Sequence, residues 1–272
     1  MESFEFQRYI TIGQYVPTNS PVHKLDPRTR LVGVTLLLIA TTVTQQWVGL
    51  VLALAGALAI TLLARIPLSY TLKGLLTPLP FIFILAVIQT LFGPGAAPDL
   101  IWDWGPFNVS LTSLLSGLSL LLRFPALILL ISAFSAATST TEIVRGLEAL
   151  LHPLVKLRLP VQDFVLMVQV ALRFLPLLAL EAERITKAQA SRGAEWGTGR
   201  GGPLRRARQV LPVIVPLFLV SLQRAENLAL AMEARGYRSQ EPRTSLIELR
   251  YQGADMLAML LALASAALIL ML

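Results

Sequence analysis

Ala182-Glu-Arg-Ile-Thr-Lys-Ala-Gln-Ala-Ser-Arg-Gly193 is a twelve-residue stretch that the chain writes again forty-three residues on, as Ala225-Glu-Asn-Leu-Ala-Leu-Ala-Met-Glu-Ala-Arg-Gly236. Ala, Glu, Ala, Arg and Gly recur in register. Each copy follows an apolar, proline-punctuated run, Phe174-Leu-Pro-Leu-Leu-Ala-Leu180 in one case and Ile214-Val-Pro-Leu-Phe-Leu-Val220 in the other. The interiors are alanine and other good helix formers, with Glu183 four residues before Lys187, so each copy reads as a helix that ends on Arg-Gly. The proline ahead of each copy is expected at a first helical position, and the glycine at the left-handed residue that closes a helix. What remains is an arginine at each tip. A cation near a helix C-terminus gains roughly 0.3–1 kcal/mol from the helix dipole, which accounts for one such arginine. Two in matched contexts point to a paired docking device, Ser191-Arg192-Gly193 and Ala234-Arg235-Gly236.

Working outward, the 272 residues are 55% hydrophobic with a mean hydropathy of +0.67, and only 14% are charged. A soluble domain has about one quarter charged residues, so most of this chain must face lipid. The net charge of +7 is no argument for nucleic acid, because basic residues also fix orientation in a bilayer. With no cysteine and two separated histidines, His23 and His152, the chain lacks the means for thiolate catalysis, disulfides or an ordinary zinc cluster. The stretch Met1–Thr29 is polar and lacks the apolar core of a cleavable signal.

Residues 1–30 carry Arg8, His23, Lys24, Arg28 and Arg30 ahead of the first apolar run, Leu31–Thr44, which places the N-terminus in the cytoplasm. Gln45-Gln46 makes a turn, Trp47 suits an interface, and Val48–Ala64 forms a second span, followed by Arg65 and Lys73. A third span runs from about Leu75 to Phe92 with Pro78 and Pro80 in its first turns. The loop Gly93–Val109 holds Asp99, Trp102, Asp103 and Trp104 but no lysine or arginine, and is expected outside. The fourth span, Leu111–Phe134, leads to Thr138-Ser-Thr-Thr141 and Glu142, which resembles a helix N-cap with acid in the first turn. Residues 31–140 are thus a four-helix membrane region. Sixteen of the twenty-three lysines and arginines fall in 141–250, the expected cytoplasmic domain. Residues 254–272 hold a single charge, Asp255, and are long enough for a fifth span. The expected fold is an all-α, multi-pass integral membrane protein with about five transmembrane helices plus a cytoplasmic domain of long helices.

Val161–Leu180 and Gln209–Leu222 could also be drawn as a transmembrane hairpin. Their connection would then export Arg184, Lys187, Arg192, Arg200, Arg205, Arg206 and Arg208, against the positive-inside rule. The second run is short for a span and contains Pro212 and Pro216; the first has Arg173 at its centre. Both are therefore read as helices along or just below the inner membrane surface. The Gly/Arg-rich link Gly197–Gly202 lacks the spacing of a phosphate loop and has no nucleotide role.

Single residues invite sharper readings. Arg123 lies mid-span, and an arginine at bilayer depth invites an ion pathway. A pathway needs several such groups, and the spans offer almost none, so Arg123 and Arg173 are expected to be structural, paired with Asp255 or a free carbonyl. His23 and Asp26 suit a capping and turn role before Pro27 better than a metal pair. Glu183 and Glu226 have no nucleophile or histidine beside them and are read as interface or solvated residues. Gly56 with Ala53, Ala55, Ala57 and Ala59 gives the second span a small-residue face, open either to a partner or to packing within the subunit.

Gly13-Gln-Tyr-Val-Pro17, Ser20 and His23-Lys-Leu-Asp-Pro-Arg-Thr-Arg30 resemble the entry segment of the transmembrane T component of energy-coupling factor transporters. Leu172-Arg-Phe-Leu-Pro176 and the two Arg-Gly helix ends resemble that family's coupling domain. The resemblance runs from Gly13 to about Asp255. It implies a vitamin or trace-nutrient importer in a bacterial or archaeal membrane, in which this subunit holds no substrate site and is not an enzyme. ATP and magnesium would belong to two ABC-type ATPase partners that grip Arg192 and Arg235, and a membrane-embedded S component would bind the substrate. Ala234-Arg235-Gly236 matches the family's usual motif, whereas Ser191 replaces its first alanine. Thr18 stands where the family has glycine, and the Gly-Gln-Tyr entry looks more like the shared module than a cobalt- or biotin-dedicated one. The runner-up is the permease of a conventional ABC importer, which lines the substrate path itself; a membrane enzyme comes third for want of a catalytic constellation.

Overall fold

The computed structural model describes residues 15–18, 20–67, 71, 74–92, 100–104, 107–157, 160–193, 203–237 and 251–272. The beginning of the entry motif at Gly13-Gln14, Lys73, Asp99 and the 197–202 link lie outside them. The helices are α1 (Pro27–Val43), α2 (Trp47–Leu63), α3 (Leu79–Phe92), α4 (Leu111–Ala137), α5 (Thr140–Leu151), α6 (Val161–Ser191), α7 (Pro203–Ala234) and α8 (Gly253–Met271). Among the described residues the protein is an all-α integral membrane protein but for one hairpin, β1 (Leu100–Trp104) with β2 (Phe107–Ser110). That hairpin replaces part of the loop expected at 93–109. Its apolar and polar residues alternate with the period of a strand, Trp102-Asp103-Trp104 and Phe107-Asn108-Val109.

Two compact units divide the chain. One contains 13–150 and 249–272; the other contains 1–12 and 151–248. In the first, α4 packs on α2 and α3, and α1 packs on α8 and α4. Its core is small and apolar: Ala40, Ala53, Ala57, Ala126, Leu129, Leu130, Ala266 and Ile269 are buried together. Glycines let backbones close up. A Cβ on Gly49 of α2 would sit 2.5 Å from the Ile269 carbonyl oxygen of α8, and one on Gly117 of α4 would sit 2.7 Å from that of Ala86 on α3. Of the small residues on α2, Ala53 and Ala57 pack inward while Ala55, Gly56 and Ala59 stay exposed. The face expected from the sequence is thus split between packing and open surface.

Helix starts follow local chemistry. Asp26 caps α1 by accepting the Arg28 N–H at 2.9 Å, with Pro27 at the first helical position. Ser110 and Ser113 form a reciprocal box at the start of α4, and Ser139 and Glu142 form another at α5, where the Ser139 N–H reaches the Glu142 carboxylate at 2.9 Å. The boundary of the first unit falls at Leu150, so α5 packs with the membrane helices; a Cβ on its Gly146 would come within 3.2 Å of Pro27.

The second unit corrects two expectations. Pro176 and Pro216 do not begin helices: α6 runs 31 residues through Pro176, and α7 runs 32 residues through Pro212 and Pro216. The second apolar run is therefore not short. Among the described residues five helices are long and apolar enough to cross a membrane, namely 74–92, α4, α6, 210–234 of α7, and α8, with the 17-residue α2 as a shorter apolar helix. The expected number of five is met by a different set, since α1 is absent from it and α6 and α7 are present. By length and apolarity α6 and α7 qualify as spans, whereas the charge distribution led the sequence analysis to expect surface helices.

Candidate functional site

α6 closes at Ser191, and Gly193 then takes φ +86, with its N–H on the Ala190 carbonyl at 3.0 Å. α7 closes more fully. Gly236 has φ +74 and donates to Glu233 at 2.9 Å, while the Tyr237 N–H reaches back to Met232 at 3.0 Å, the paired bonds of a left-handed helix cap. A Cβ at Gly193 or Gly236 would meet nothing within 4 Å. It is thus the backbone conformation, rather than space, that calls for glycine. Ser191, Arg192, Gly193, Ala234, Arg235 and Gly236 are all exposed. Neither arginine side chain has a hydrogen bond or ion pair with another described residue.

The two helices meet at a pair the sequence reading missed. Arg224 donates to Glu181 at 2.8 Å, and those positions are themselves forty-three residues apart, so they are the same position of the repeat. Two helices that touch at equivalent positions cross at a point equidistant from their matching ends. Arg192 and Arg235 each lie eleven residues beyond it, about 16 Å of helix at 1.5 Å per residue. A second contact sets the direction: the Tyr237 hydroxyl lies 3.4 Å from Asp163 in the first turn of α6. The end of α7 thus returns to the start of α6, the helices run antiparallel, and the tips point apart, up to about 33 Å from each other. The prolines all precede the crossing, so both arms beyond it are uninterrupted helix. The lengthwise chemistry matches: exposed large apolar side chains such as Phe164, Met167, Ile214 and Phe218 come before the crossing, and beyond it only Leu230 is exposed. The alternation of charge within α6 is local, with Lys187 on Glu183 at 2.5 Å.

In the membrane unit the ionisable residues form a lock. Arg30, 7% exposed, donates to the Leu25 carbonyl at 3.1 Å and the Ala137 carbonyl at 2.6 Å, and meets Glu142 with both terminal nitrogens at 3.2 and 3.4 Å. Burial pushes the Glu142 carboxyl up, but the Ser139 N–H, the Arg30 guanidinium and the Ser139 hydroxyl outweigh it and hold the carboxyl below its ordinary range. Asp255, 2% exposed, accepts the N–H groups of Asp26 at 2.7 Å and Gln252 at 2.8 Å. It joins α1 to α8 and pairs with no arginine among the described residues, Arg123 and Arg173 included, contrary to one expectation; its carboxylate accepts two backbone donors. Arg123 uses the other expected partner, a free carbonyl, that of Thr44 at the end of α1. Arg173 is exposed on α6 and has no partner among the described residues. His23 works in the turn, bonding Ser20 at 2.6 Å and the Val16 carbonyl at 3.0 Å. Thr18 donates to the Ala64 carbonyl at 2.8 Å, tying the entry segment to the end of α2. No group of three or more potential metal-ligating side chains occurs among the described residues.

A multi-pass helical bundle joined to two crossed helices with matched cationic tips fits one class: a membrane-embedded transporter component. Residues 18–246 match the CbiQ family, described as cobalt transport proteins. The chain is 37% identical over 251 residues to the energy-coupling factor transporter transmembrane protein EcfT of Thermosediminibacter oceani, covering 92% of this chain and 93% of that one. It is 38% identical over 248 residues to EcfT of Bacillus subtilis, covering 90% and 91%, and 38% identical over 256 residues to EcfT of Acidaminococcus fermentans, covering 94% and 93%. The chain belongs to the EcfT-type family of energy-coupling factor transporter transmembrane components.

Proposed function

We propose that this subunit is the mechanical coupler of a vitamin or micronutrient importer, carrying the movement of two ABC-type ATPase subunits to a membrane-embedded substrate-binding S component. The observation that carries the reading is the pair of exposed arginines, without a partner among the described residues, at equal distances beyond one crossing. A guanidinium at a helix tip enters a groove and meets carboxylates bidentately. Two such tips, one for each ATPase, turn the approach of the ATPases on binding ATP into a change of angle between α6 and α7. The residues assigned to docking are Ser191, Arg192 and Gly193 at one tip and Ala234, Arg235 and Gly236 at the other. The exposed apolar side chains ahead of the crossing supply surface for lipid and for the S component. ATP and magnesium are held by the partners, so the subunit itself catalyses nothing. In this reading residues 141–250 and the N-terminus are cytoplasmic.

The test is copurification of the ATPase subunits with the Arg192→Glu, Arg235→Glu and doubly substituted chains. If each tip forms a desolvated ion pair, each single change costs on the order of 2–5 kcal/mol of binding, and the double change abolishes the complex. ATPases held undiminished by the double variant would make the Arg-Gly ends ordinary helix terminators and remove the basis of the proposal.

A further inference from the structure

A groove of about 430 Å³ opens in the membrane unit between α1, α2, α4 and α8. Its walls are small or aliphatic, among them Gly33, Leu37, Gly56, Ala59, Leu130 and Ala262. Leu63, Leu261 and Leu268 also line it and are 57%, 62% and 48% exposed, so the groove opens onto an apolar outer surface rather than into a sealed core. A Cβ added at Gly56 meets nothing within 4 Å; the space there is real.

The few polar groups along the groove are nearly all occupied. The Thr41 hydroxyl donates to Leu37 at 2.8 Å, Ser265 donates to Ala262 at 3.0 Å, and Arg30 is held by Glu142 and by carbonyls. The exception is Thr29. It is 3% exposed, lines the groove, and its hydroxyl has no hydrogen-bond partner. A buried hydroxyl left unmatched is costly. It therefore points to a ligand that brings an oxygen to one end of an otherwise carbon-lined slot.

We propose that this groove holds one acyl chain of an anionic membrane phospholipid, with the Thr29 hydroxyl bonding the ester or phosphate region of the lipid. The groove follows α1 from Thr29 to Thr41, about 18 Å at 1.5 Å per residue. One leaflet of a bilayer is about 15 Å of hydrocarbon, half of the whole core, so a single chain entering at Thr29 is accommodated along the slot. The sign of the headgroup follows from its neighbours. Lys24 is exposed between the lining residues Val22 and Leu25, Arg28 precedes Thr29 in the first turn of α1, and the nearby carboxylates of Asp26 and Glu142 are committed to the Arg28 N–H and to Arg30. Cations at the ends of membrane helices select anionic lipid. A groove facing hydrocarbon with these walls cannot hold water, which needs several polar partners.

The proposal is tested on the full chain in detergent by native mass spectrometry, titrating phosphatidylglycerol and phosphatidylcholine. The wild type is expected to retain one lipid and to prefer phosphatidylglycerol. Gly56→Leu, which fills the slot, should abolish that binding; Thr29→Val, which keeps the shape and removes the hydroxyl, should weaken it about 2- to 10-fold, the worth of one hydrogen bond. Lys24→Gln should erase the preference for the anionic headgroup. Thermal unfolding of each variant checks that it is folded, and Ala59→Leu provides a second way of filling the slot should Gly56→Leu fail that check. Equal lipid retention by the wild type and a folded filled variant, or no preference between the two headgroups, overturns the assignment. So does a filled variant that keeps its lipid while losing a protein partner, which would give the groove to a transmembrane helix instead.

Discussion

Arg30 and Glu142 show how a residue that looks topological in sequence becomes structural. Arg30 is one of five lysine, arginine and histidine residues ahead of the first apolar run, and counted that way it only helps orient the chain. In the fold it is buried and gathers carbonyls from two segments and the carboxylate that also caps α5. Glu142→Gln should destabilise the chain by on the order of 1–3 kcal/mol, the range for hydrogen bonds to charged groups, because the carbonyl bonds of Arg30 survive. The pH dependence has a definite sign. The folded carboxyl is held below its ordinary value near 4.5, so the unfolded chain binds the proton more readily and stability rises with pH across that window. The contribution of Glu142 is fully present above about pH 4.5 and is lost as pH falls through the lower, folded value. Thermal unfolding between pH 3 and 6 should therefore show an acid-side loss in the wild type that is reduced in Glu142→Gln; identical slopes would refute this role. The capping motif at Ser139 was legible because it is local. The partnership with Arg30 was not, since it joins residues 112 positions apart.

At the scale of elements, α6 and α7 were half legible. The repeat and the Arg-Gly ends gave their termini, because a left-handed glycine cap is written within a few residues. Their beginnings were misplaced because proline was read as a starting signal, whereas in these long apolar helices it is an interior residue. The crossing was invisible until the helices were paired. It then proved to use position 181 and its repeat equivalent 224, with opposite charges in place of a conserved letter. That pair is about one fifth to one third exposed, so its direct contribution to stability is about 0.2–1 kcal/mol. Its larger effect is on register. Glu181→Arg sets two guanidiniums against each other, and Arg224→Glu sets two carboxylates. Each single change should lower ATP-driven uptake by the assembled transporter with only a small loss of thermal stability, and the exchanged pair Glu181→Arg with Arg224→Glu should recover uptake. An exchanged pair no better than the poorer single variant would show that the contact does not set the crossing.

For the whole molecule, composition gave the membrane, while length and charge point to different placements of α6 and α7. A helix of 31 residues spans about 46 Å, more than the roughly 30 Å of hydrocarbon that a crossing helix needs to cover. α6 is therefore long enough to cross, and α7 equally so, yet a crossing by both would export the cations clustered from Arg184 to Arg208. The positive-inside rule predicts that such a cluster stays in the cytoplasm and that the hairpin at β1 and β2, which has no lysine or arginine, lies on the other face. The absence of cysteine makes the choice directly measurable, since a single introduced thiol is the only reactive one. With a membrane-impermeant maleimide, Asn108→Cys in β2 should be labelled on intact cells, and Ser191→Cys at the end of α6 only after permeabilisation. Were α6 and α7 a transmembrane hairpin, α6 would end outside and Ser191→Cys would react on intact cells as readily as Asn108→Cys. Protection of Ser191→Cys keeps both arginine tips on the side where ATP is, which the coupling mechanism requires; labelling from outside would make docking to cytoplasmic ATPases impossible, whatever the charge-reversal variants did.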